Sequence, residues 1–478
     1  MPTGFQRITP SKRIFAVFAS AGSNLACNLD IEPVLSASML GKALSFGTLK
    51  HDSIRFSADN MARRSSADTM KTTFHTTRAM ILLGYAAFAS AAAIRVCDPM
   101  LPEIAHNFGT TNGQAAGTIT AFAVAYGVFQ LLYGPIGDRY NKYRLITLAT
   151  FACTVGSLSA AASPYLNWLI ASRALAGATA AAIIPMSIAW IGDNVPYVDR
   201  QETLARFISG PILGLIGGQF LGGFVADTLG WRWCFVLLAA MYVLTGVLLQ
   251  RELRHNSSVQ SQALLASAPT SQPAFLNQFI NVLRVRWTRV ILMTAVLESF
   301  TVFGSVAFIP VYLHTRFGIS LTAAGAIMAV FGLGGLFYTV NAGRLVARIG
   351  ERGLAAGGGI LLGAAFLVFL LSNSWAWAIP ASLMTGTGFY MLHNTLQTNA
   401  TQMVPFARGT AVAMFVAFFF LGQSAGVAIG ATIVDSHGAS WLFASSAAAL
   451  PLIGIGFAFI LRYRTTEDSA DSDLRTEV

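Results

Sequence analysis

Charged residues are scarce in this chain. Asp, Glu, Lys and Arg make up only 11% of its 478 residues, whereas hydrophobic residues make up 54% and the mean hydropathy is +0.59. Ordinary soluble proteins carry about 25% charged residues, so the composition excludes a soluble globular domain. The net charge of +10 does not indicate nucleic acid as a partner, because the basic residues are dispersed and match no nucleic-acid-binding motif. We expect the partner to be a lipid bilayer, with cations marking the loops on its cytoplasmic side.

Cysteine is also rare, and the patterns of common enzyme sites are missing. The four cysteines form neither a CxxC pair nor a Cys/His cluster, which argues against a disulfide framework and against a zinc site. The glycine runs 210–223 and 357–359 lack the Lys-Ser/Thr of a phosphate-binding loop, and no catalytic triad is legible. We therefore expect no enzyme, no metal and no cofactor, so that any energy comes from an ion gradient such as protons.

Long apolar runs begin at Met80, each about 20 residues long, as a bilayer crossing requires. Twelve such runs predict an all-α membrane protein with twelve transmembrane helices. The runs cover residues 80–104, 114–136, 145–165, 167–192, 203–226, 232–250, 288–313, 321–342, 353–373, 375–402, 409–432 and 441–462.

Polar segments divide the chain. The Ser- and Thr-rich residues 1–77 predict either a disordered cytoplasmic extension or a stretch upstream of a true start at Met61 or Met70. Residues 78–250 and 288–464 are then two six-helix halves, joined by a cytoplasmic linker over 251–287. The end of that linker, Phe275 to Leu283, has apolar residues at helical spacing and is predicted to lie along the membrane surface. A polar tail follows at 465–478.

Cations accumulate after the even-numbered spans, for example Arg139, Lys142 and Arg144 after the second. The odd-numbered loops carry few, with Arg232 and Arg316 the visible ones. By the positive-inside rule, both termini are predicted to be cytoplasmic.

The two halves repeat each other. A shift of 208 to 210 residues places Pro102 on Pro310, Phe108-Gly109 on Phe317-Gly318 and Asp227 on Asp435, in the same order along both halves. A parallel repeat of this kind predicts two pseudo-symmetric bundles with a pathway at their seam.

The loop after span 2 carries a recognisable motif. It reads Gly134-Pro-Ile-Gly-Asp138-Arg139-Tyr-Asn-Lys142-Tyr-Arg144. It resembles the Gly-x-x-x-Asp-Arg-x-Gly-Arg-Arg signature of the major facilitator superfamily, with Asn141 in place of the second Gly. The resemblance implies a twelve-helix transporter in which an Asp138–Arg139 latch forms in one cytoplasmic state. Gly134 and Gly137 are expected to let helix ends approach closely. The alternative is a plain cationic anchor.

Span 1 carries Arg95 and Asp98, three residues apart on one helix face. Arg173 enters span 4 at a similar depth, so we expect it to meet Asp98. The sequence Arg173-Ala-Leu-Ala-Gly177 resembles the family's fourth-helix motif, whose Arg is associated with proton transfer in drug antiporters. The alternative is a structural buried ion pair.

Glu298 lies nine residues beyond Arg289, which places it about 14 Å deep in span 7, near the bilayer midplane. No cation is near it in sequence. Ionisable groups at this depth cost about 2.5–3.5 kcal/mol on insertion scales and are functional candidates, so Glu298 is predicted to carry protons. The alternatives are a Glu that faces a cationic substrate and a neutral Glu that is hydrogen-bonded to a neighbouring helix.

Span 5 is rich in glycine. Gly214, Gly218 and Gly222, with Gly223, predict a smooth face for close helix contact. The stretch resembles the antiporter signature Gly-x-x-x-Gly-Pro-x-x-Gly-Gly of drug:proton exporters, with Gln219 where Pro is usual. The resemblance favours export, and plain packing is the alternative.

Span 10 carries a polar stripe that must face the bundle interior or a cavity. Its members are Tyr390, Asn394 and Gln397, with His393 beside them, and Gln130, Asn341 and Gln423 are predicted to join the same cavity. His393 is a candidate for a proton relay, although a single histidine is more often a hydrogen-bonded packing residue. The aromatic run from Phe415 to Phe420 is expected to be core or lipid-facing.

Together these features predict a monomeric secondary transporter of the major facilitator superfamily in the bacterial inner membrane. It would export a small organic solute, drug or sugar, in exchange for protons by alternating access. Two alternatives stay open. One is a symporter that takes up a sugar or organic anion held by Arg95 and Arg173. The other is a membrane receptor or structural subunit.

Overall fold

The computed structural model describes residues 77–255, 275–404 and 407–476. The predicted extension over residues 1–77 lies outside these ranges except for Thr77, as does the middle of the predicted linker. Within the described ranges the chain is almost entirely helical.

The described residues contain twelve helical segments long enough to cross a membrane. Ten helices are long and apolar enough to cross a membrane, and one of them, Leu321–Leu371, has 51 residues. Its helical dihedrals are interrupted at Gly350 (φ 64°, ψ 178°), so it supplies two crossings. The helix Ala378–Gln402 also has the length for a crossing, with 25 residues, although its polar side chains lower its hydropathy. The predicted count of twelve is confirmed.

The crossings are numbered here as spans 1 to 12, and a short helix, Phe275–Arg284, precedes span 7. In chain order the spans comprise Thr77–Arg95 with Leu101–Phe108, Asn112–Ala115 with Gly117–Arg139, Lys142–Ala161, Leu166–Ala180 with Ile183–Asn194, Tyr197–Thr228, Trp231–His255, Arg286–Val306 with Ile309–Phe317, the two parts of Leu321–Leu371, Ala378–Gln402, Arg408–His437 and Ala439–Thr476.

Spans 1 and 7 show the repeat in three dimensions. Each is interrupted and then resumes as a short helix with proline in its first turn, Pro102 in one and Pro310 in the other. Each short helix ends at a glycine with left-handed dihedrals, Gly109 (φ 62°) and Gly318 (φ 64°). The buried apolar side chains form one large core within the second half and another centred on the first half, which also includes residues such as Phe308, Leu321 and Phe420. The structure therefore has two pseudo-symmetric halves, as predicted.

The backbones of spans 5 and 1 approach each other closely at three glycines of span 5. A Cβ atom on Gly214, Gly218 or Gly222 would collide with backbone carbonyl oxygens of span 1, which belong to Phe88, Ala92 and Val96 respectively. The predicted smooth face is confirmed. Gly223 makes a similar approach to Leu321 at the start of span 8, so span 5 touches both halves.

The helix Phe275–Arg284 agrees with the predicted linker helix. It buries Val282, and Thr410 at the start of span 11 donates a hydrogen bond of 3.2 Å to the side chain of Gln278. This helix is thus attached to the second half.

Candidate functional site

A cavity of about 250 Å³ lies between the two halves and is lined by spans 1, 5, 7, 8, 10 and 11. Spans 1 and 5 contribute mostly aliphatic side chains, and spans 7, 8, 10 and 11 contribute mostly aromatic ones. The lining residues used below are Ile94, Arg95, Leu215, Ile216, Gln219, Phe303, Phe331, Phe389, Tyr390, His393, Asn394, Gln397, Phe419, Phe420 and Gln423.

The polar stripe of span 10 faces this cavity, as the helical spacing predicts. Tyr390, His393, Asn394 and Gln397 all line it, and so does Gln423 of span 11. Two other predicted members do not line it. Asn341 donates instead to the carbonyl of Phe337 in its own helix (2.8 Å). Gln130 is buried in span 2, away from the cavity wall.

Glu298 is completely buried and lies beside His393. Its Oε2 atom is 3.0 Å from Nδ1 of His393, which belongs to span 10, while its Oε1 atom has no hydrogen-bond partner. The His393 side chain is 15% exposed and reaches the cavity, whereas that of Glu298 is 0% exposed. The histidine therefore separates the buried carboxyl group from the cavity.

Asp98 is the centre of a second buried network. Arg95 Nη1 lies 3.4 Å from its Oδ2 atom, so the two side chains pair, although Asp98 lies in the turn after the helix Thr77–Arg95 and not on its face. Gln219 Nε2 of span 5 donates to the same oxygen at 3.0 Å. Gln219, which departs from the resembled signature, thus serves as a hydrogen-bond donor to Asp98. The guanidinium carbon of Arg95 also lies 4.0 Å from the ring centroid of Phe303, across the seam in span 7.

Arg173 does not form the predicted pair with Asp98. Its Nη2 atom donates to the carbonyl oxygen of Ala93 at 2.7 Å, and its guanidinium carbon lies 4.2 Å from the ring centroid of Phe122. The side chain is buried and does not line the cavity. A backbone carbonyl and an aromatic face hold this cation, and its Nε atom is buried without a hydrogen-bond partner, so the expected contact with a carboxylate is wrong.

The aromatic run of span 11 was expected to be core or lipid-facing, but part of it lines the cavity. Phe419 and Phe420 line the cavity, and the ring of His393 lies 4.7 Å from that of Phe419 and 5.4 Å from that of Phe415. Four phenylalanines within six residues span less than two helical turns, so they cannot be assigned to a face without knowing the rotation of the helix. The sequence contained no signal for that rotation.

The loop motif after span 2 is organised around capping and one ion pair. Asn141 caps span 3 by accepting a hydrogen bond from the backbone N–H of Arg144 (2.9 Å), which explains asparagine in place of glycine. Lys142 Nζ lies 2.8 Å from Asp193 Oδ2 at the end of span 4. Arg139 and Arg144 are exposed. The side chain of Asp138 lies outside the described side chains, so the predicted Asp138–Arg139 latch stays a prediction.

The two glycines of this motif differ. A Cβ on Gly137 would collide with the sulfur of Met186, so a close approach occurs there. Around Gly134 a Cβ would meet open space, and the expected close approach at Gly134 is wrong in this conformation. Of these two glycines of span 2, only Gly137 lies in close contact with span 4.

Two aspartates join the halves at the face opposite the cation-rich loops. Asp435, near the end of span 11, accepts hydrogen bonds from Thr111 Oγ1 (2.6 Å) and from the backbone N–H of Gly113 (3.0 Å) at the start of span 2. Asp227, near the end of span 5, accepts from the backbone N–H groups of Leu321 (3.1 Å) and Thr322 (2.5 Å) at the start of span 8. The two contacts are related by the 208-residue repeat. We call them the paired caps, because each carboxylate caps a helix of the other half.

Comparisons with known proteins agree with this architecture. Residues 83–408 match the sequence profile of the Major Facilitator Superfamily. The chain is 25% identical over 305 residues to the uncharacterized MFS-type transporter YwfA of Bacillus subtilis, covering 62% of this chain and 73% of that protein. It is 31% identical over 157 residues to the multidrug export protein EmrB of Escherichia coli, covering 33% of this chain and 31% of that protein. A crystal structure of the nucleoside transporter NupG superposes with a TM-score of 0.66 at 11% identity, covering 79% of this chain and 98% of that chain.

Proposed function

Since the chain belongs to the Major Facilitator Superfamily, a family of membrane transporters rather than enzymes, we propose that it exports a small organic solute in exchange for protons. The solute binds in the cavity between the halves, and Glu298 together with His393 carries the proton. The energy comes from the proton gradient, and no cofactor is needed. We place the protein in a bacterial inner membrane with both termini in the cytoplasm, because the cations follow the even-numbered spans.

The observation that carries this proposal is the 3.0 Å contact between Glu298 and His393. With one proton, the pair is held by a bond between His393 Nδ1–H and the carboxylate, and a second proton gives either an imidazolium or a carboxylic acid. Since His393 reaches the cavity and Glu298 does not, protons enter and leave through the imidazole. A solute that contacts His393 changes the energy of the protonated pair, which links binding to proton release.

Alternating access follows from the arrangement of the halves. The paired caps close the face opposite the cation-rich loops, and their opening exposes the cavity on that side. A state that opens to the cytoplasm then exchanges with one that opens outward. Proton binding and solute binding favour different members of this pair of states.

Export rather than uptake is supported by two observations. The EmrB relative is a multidrug export protein, and the glycines of span 5 resemble the antiporter signature of drug:proton exporters. Uptake of an organic anion by Arg95 and Arg173 is disfavoured, because Arg173 is held by Ala93 and Phe122 away from the cavity.

The test uses the purified protein in liposomes that contain a pH-sensitive dye. A panel of drugs, aromatic compounds and sugars is added under an imposed pH gradient, and proton flux and solute flux are measured together. We expect at least one solute to drive proton counterflow that is abolished by an uncoupler. In Glu298→Gln the proton flux falls at least tenfold, while solute exchange without a gradient continues.

Glu103→Gln is the matched control. Glu103 is also a carboxyl at a helix contact, accepting from the backbone N–H of Trp231 (3.2 Å), but it lies away from the cavity. It is expected to behave as wild type. Wild-type proton coupling in Glu298→Gln, or accumulation only along an inward proton gradient, contradicts the proposal.

A further inference from the structure

We infer that the cavity selects a small, uncharged aromatic solute that carries an amide or similar hydrogen-bonding group. This inference rests on the proposed function and names the substrate class of the same site. It is drawn from the chemistry of the cavity wall: its rings, its charge balance, its amides and its size.

One wall of the cavity is a continuous aromatic surface. Phe303 is in ring contact with Phe331 (6.3 Å between centroids), Phe389 (5.1 Å) and Phe419 (5.6 Å), and Phe389 stacks on His393 at 4.8 Å with planes 20° apart. The facing wall is aliphatic and comprises Ile94, Leu215 and Ile216. A slot between a ring surface and branched aliphatic side chains favours a flat ring, because ring–ring contacts add about 0.5–1.5 kcal/mol each to apolar burial.

The cavity offers no unbalanced charge to a ligand. Arg95 is the one lining residue with a permanent charge, and Asp98 neutralises it at 3.4 Å. Glu298 is shielded behind His393 and does not reach the wall. An ammonium group would find no carboxylate at the surface, and a carboxylate would have to compete with Asp98 for Arg95. Burying either ion without a partner is costly, which favours a neutral solute.

Amide side chains supply the polar contacts. Gln219 and Gln423 stand on spans 5 and 11, and Asn394 and Gln397 stand on span 10, so amides approach the cavity from both halves. The Oε1 atoms of Gln219 and Gln423 are buried without a hydrogen-bond partner. Each amide carries both a donor and an acceptor, which can pair with the acceptor and the donor of a ligand amide. Because these side chains carry no net charge, they do not favour a charged ligand over a neutral one.

The size of the site limits the ligand. Cavities for drug-sized ligands measure about 300–1,000 Å³, and this one measures about 250 Å³. A solute of one or two rings fits, whereas a large multi-ring drug does not fit without opening of the site.

Four matched probes separate ring and charge. Benzamide is neutral and aromatic, benzoate is an anionic analogue of similar size, benzylammonium is a cationic one, and cyclohexanecarboxamide keeps the amide but replaces the aromatic ring by a saturated one. Each is titrated at millimolar concentrations into the purified protein, and its affinity is read from the rise in the thermal unfolding midpoint. We expect benzamide to bind at least tenfold more tightly than each of the other three. Equal or tighter binding of benzoate, benzylammonium or cyclohexanecarboxamide, or no binding of benzamide, overturns the inference.

Two variants assign the selectivity to the cavity. Phe331→Leu removes a lining ring but keeps its bulk, and it is expected to bring benzamide within threefold of cyclohexanecarboxamide. Gln423→Met removes an amide and is expected to weaken benzamide binding three- to tenfold. Phe459→Leu, at a position 56% exposed on span 12, is the control and is expected to leave the selectivity unchanged. Unchanged selectivity in both cavity variants also overturns the inference.

The proton assay separates this inference from the proposed function. If a charged or non-aromatic solute drives Glu298-dependent proton flux and benzamide does not bind, the substrate class is wrong and antiport stands. If benzamide binds with the expected selectivity but no solute moves protons, the substrate class stands and antiport is wrong.

Discussion

Glu298 and His393 are 95 positions apart in the chain, and only the packing of span 7 against span 10 brings them together. Each alone has a structural explanation, as a neutral acid or a packing imidazole. Their contact supports the proposed proton route, because it joins a buried carboxyl group to a side chain that lines the cavity. Arg95 and Asp98 form a different kind of pair, which a third side chain, Gln219, holds in place.

The first prediction concerns the charge balance of span 1. Asp98→Asn leaves the buried guanidinium of Arg95 without its counter-ion, and we expect it to lower the free energy of unfolding by about 3 kcal/mol. The thermal unfolding midpoint in detergent measures the loss. Adding Arg95→Met to Asp98→Asn removes the unpaired charge and is expected to restore most of the stability.

The double variant is the decisive member of that series. If Arg95→Met with Asp98→Asn is less stable than Asp98→Asn alone, then the two residues do not compensate each other. The ion pair would then not be what maintains this part of span 1.

At the scale of helices, spacing predicted well what depends on one helix alone. The glycine face of span 5 and the polar stripe of span 10 follow from periodicity, and both were confirmed. Spacing failed where the rotation of a helix against its neighbour decides the contact. Arg173 bonds to a carbonyl instead of a carboxylate, and Phe419 enters the cavity, since several faces of these helices were equally compatible with the sequence.

The second prediction tests the contact between spans 1 and 5. Gly218→Ala places a methyl group against the backbone of Ala92, which cannot yield as a side chain can. We expect a loss of about 3 kcal/mol, measured as a lower unfolding midpoint and lower yield. Gly456→Ala in span 12 is the control, because its Cβ meets open space and alanine favours helix by about 1 kcal/mol. Equal stability of the two variants contradicts the packing argument.

The third prediction concerns the paired caps. Replacing both Asp227 and Asp435 by alanine removes a capping carboxylate from each side of the seam, at about 1 kcal/mol per cap. The ratio of closed to open molecules on that face is then expected to fall about thirtyfold. Spin labels at Tyr165 and Trp377, exposed in loops of different halves, report the change as a longer distance.

Thr228→Ala is the matched control for the caps. Thr228 lies next to Asp227, but its hydroxyl donates to Phe224 in its own helix and makes no bond across the seam. It is expected to leave the distance distribution unchanged. A double aspartate variant with the wild-type distribution would show that the caps do not hold the face closed.

For the whole molecule, the repeat predicted the fold, and departures from the repeat mark the site. A shift of 208 places Arg95 on Phe303, and these two counterparts contact each other across the seam. The same shift places Glu298 on Ser90, so Glu298 has no acidic counterpart at the equivalent position of the first half. The paired caps occur in both halves, whereas Arg95 and Glu298 have no charged counterpart in the other half. The sequence shows each departure from the repeat, but the residue that each of them contacts could be identified only from the assembled halves.

The last prediction uses cross-links to ask whether the halves must separate. Thr111→Cys with Asp435→Cys places two thiols across the seam, where Oγ1 and Oδ2 lie 2.6 Å apart. Ser305→Cys with Ser446→Cys does the same within the second half, where the two hydroxyls lie 2.7 Å apart in spans 7 and 12. Oxidation is expected to lower the transport rate at least tenfold in the first variant and to leave the rate unchanged in the second. A reductant restores the first, because the cap at Asp227 remains intact and one cap still permits closure. If the cross-link between the halves is formed and transport continues, the face it joins does not open during the cycle, and the solute must leave the cavity by another route.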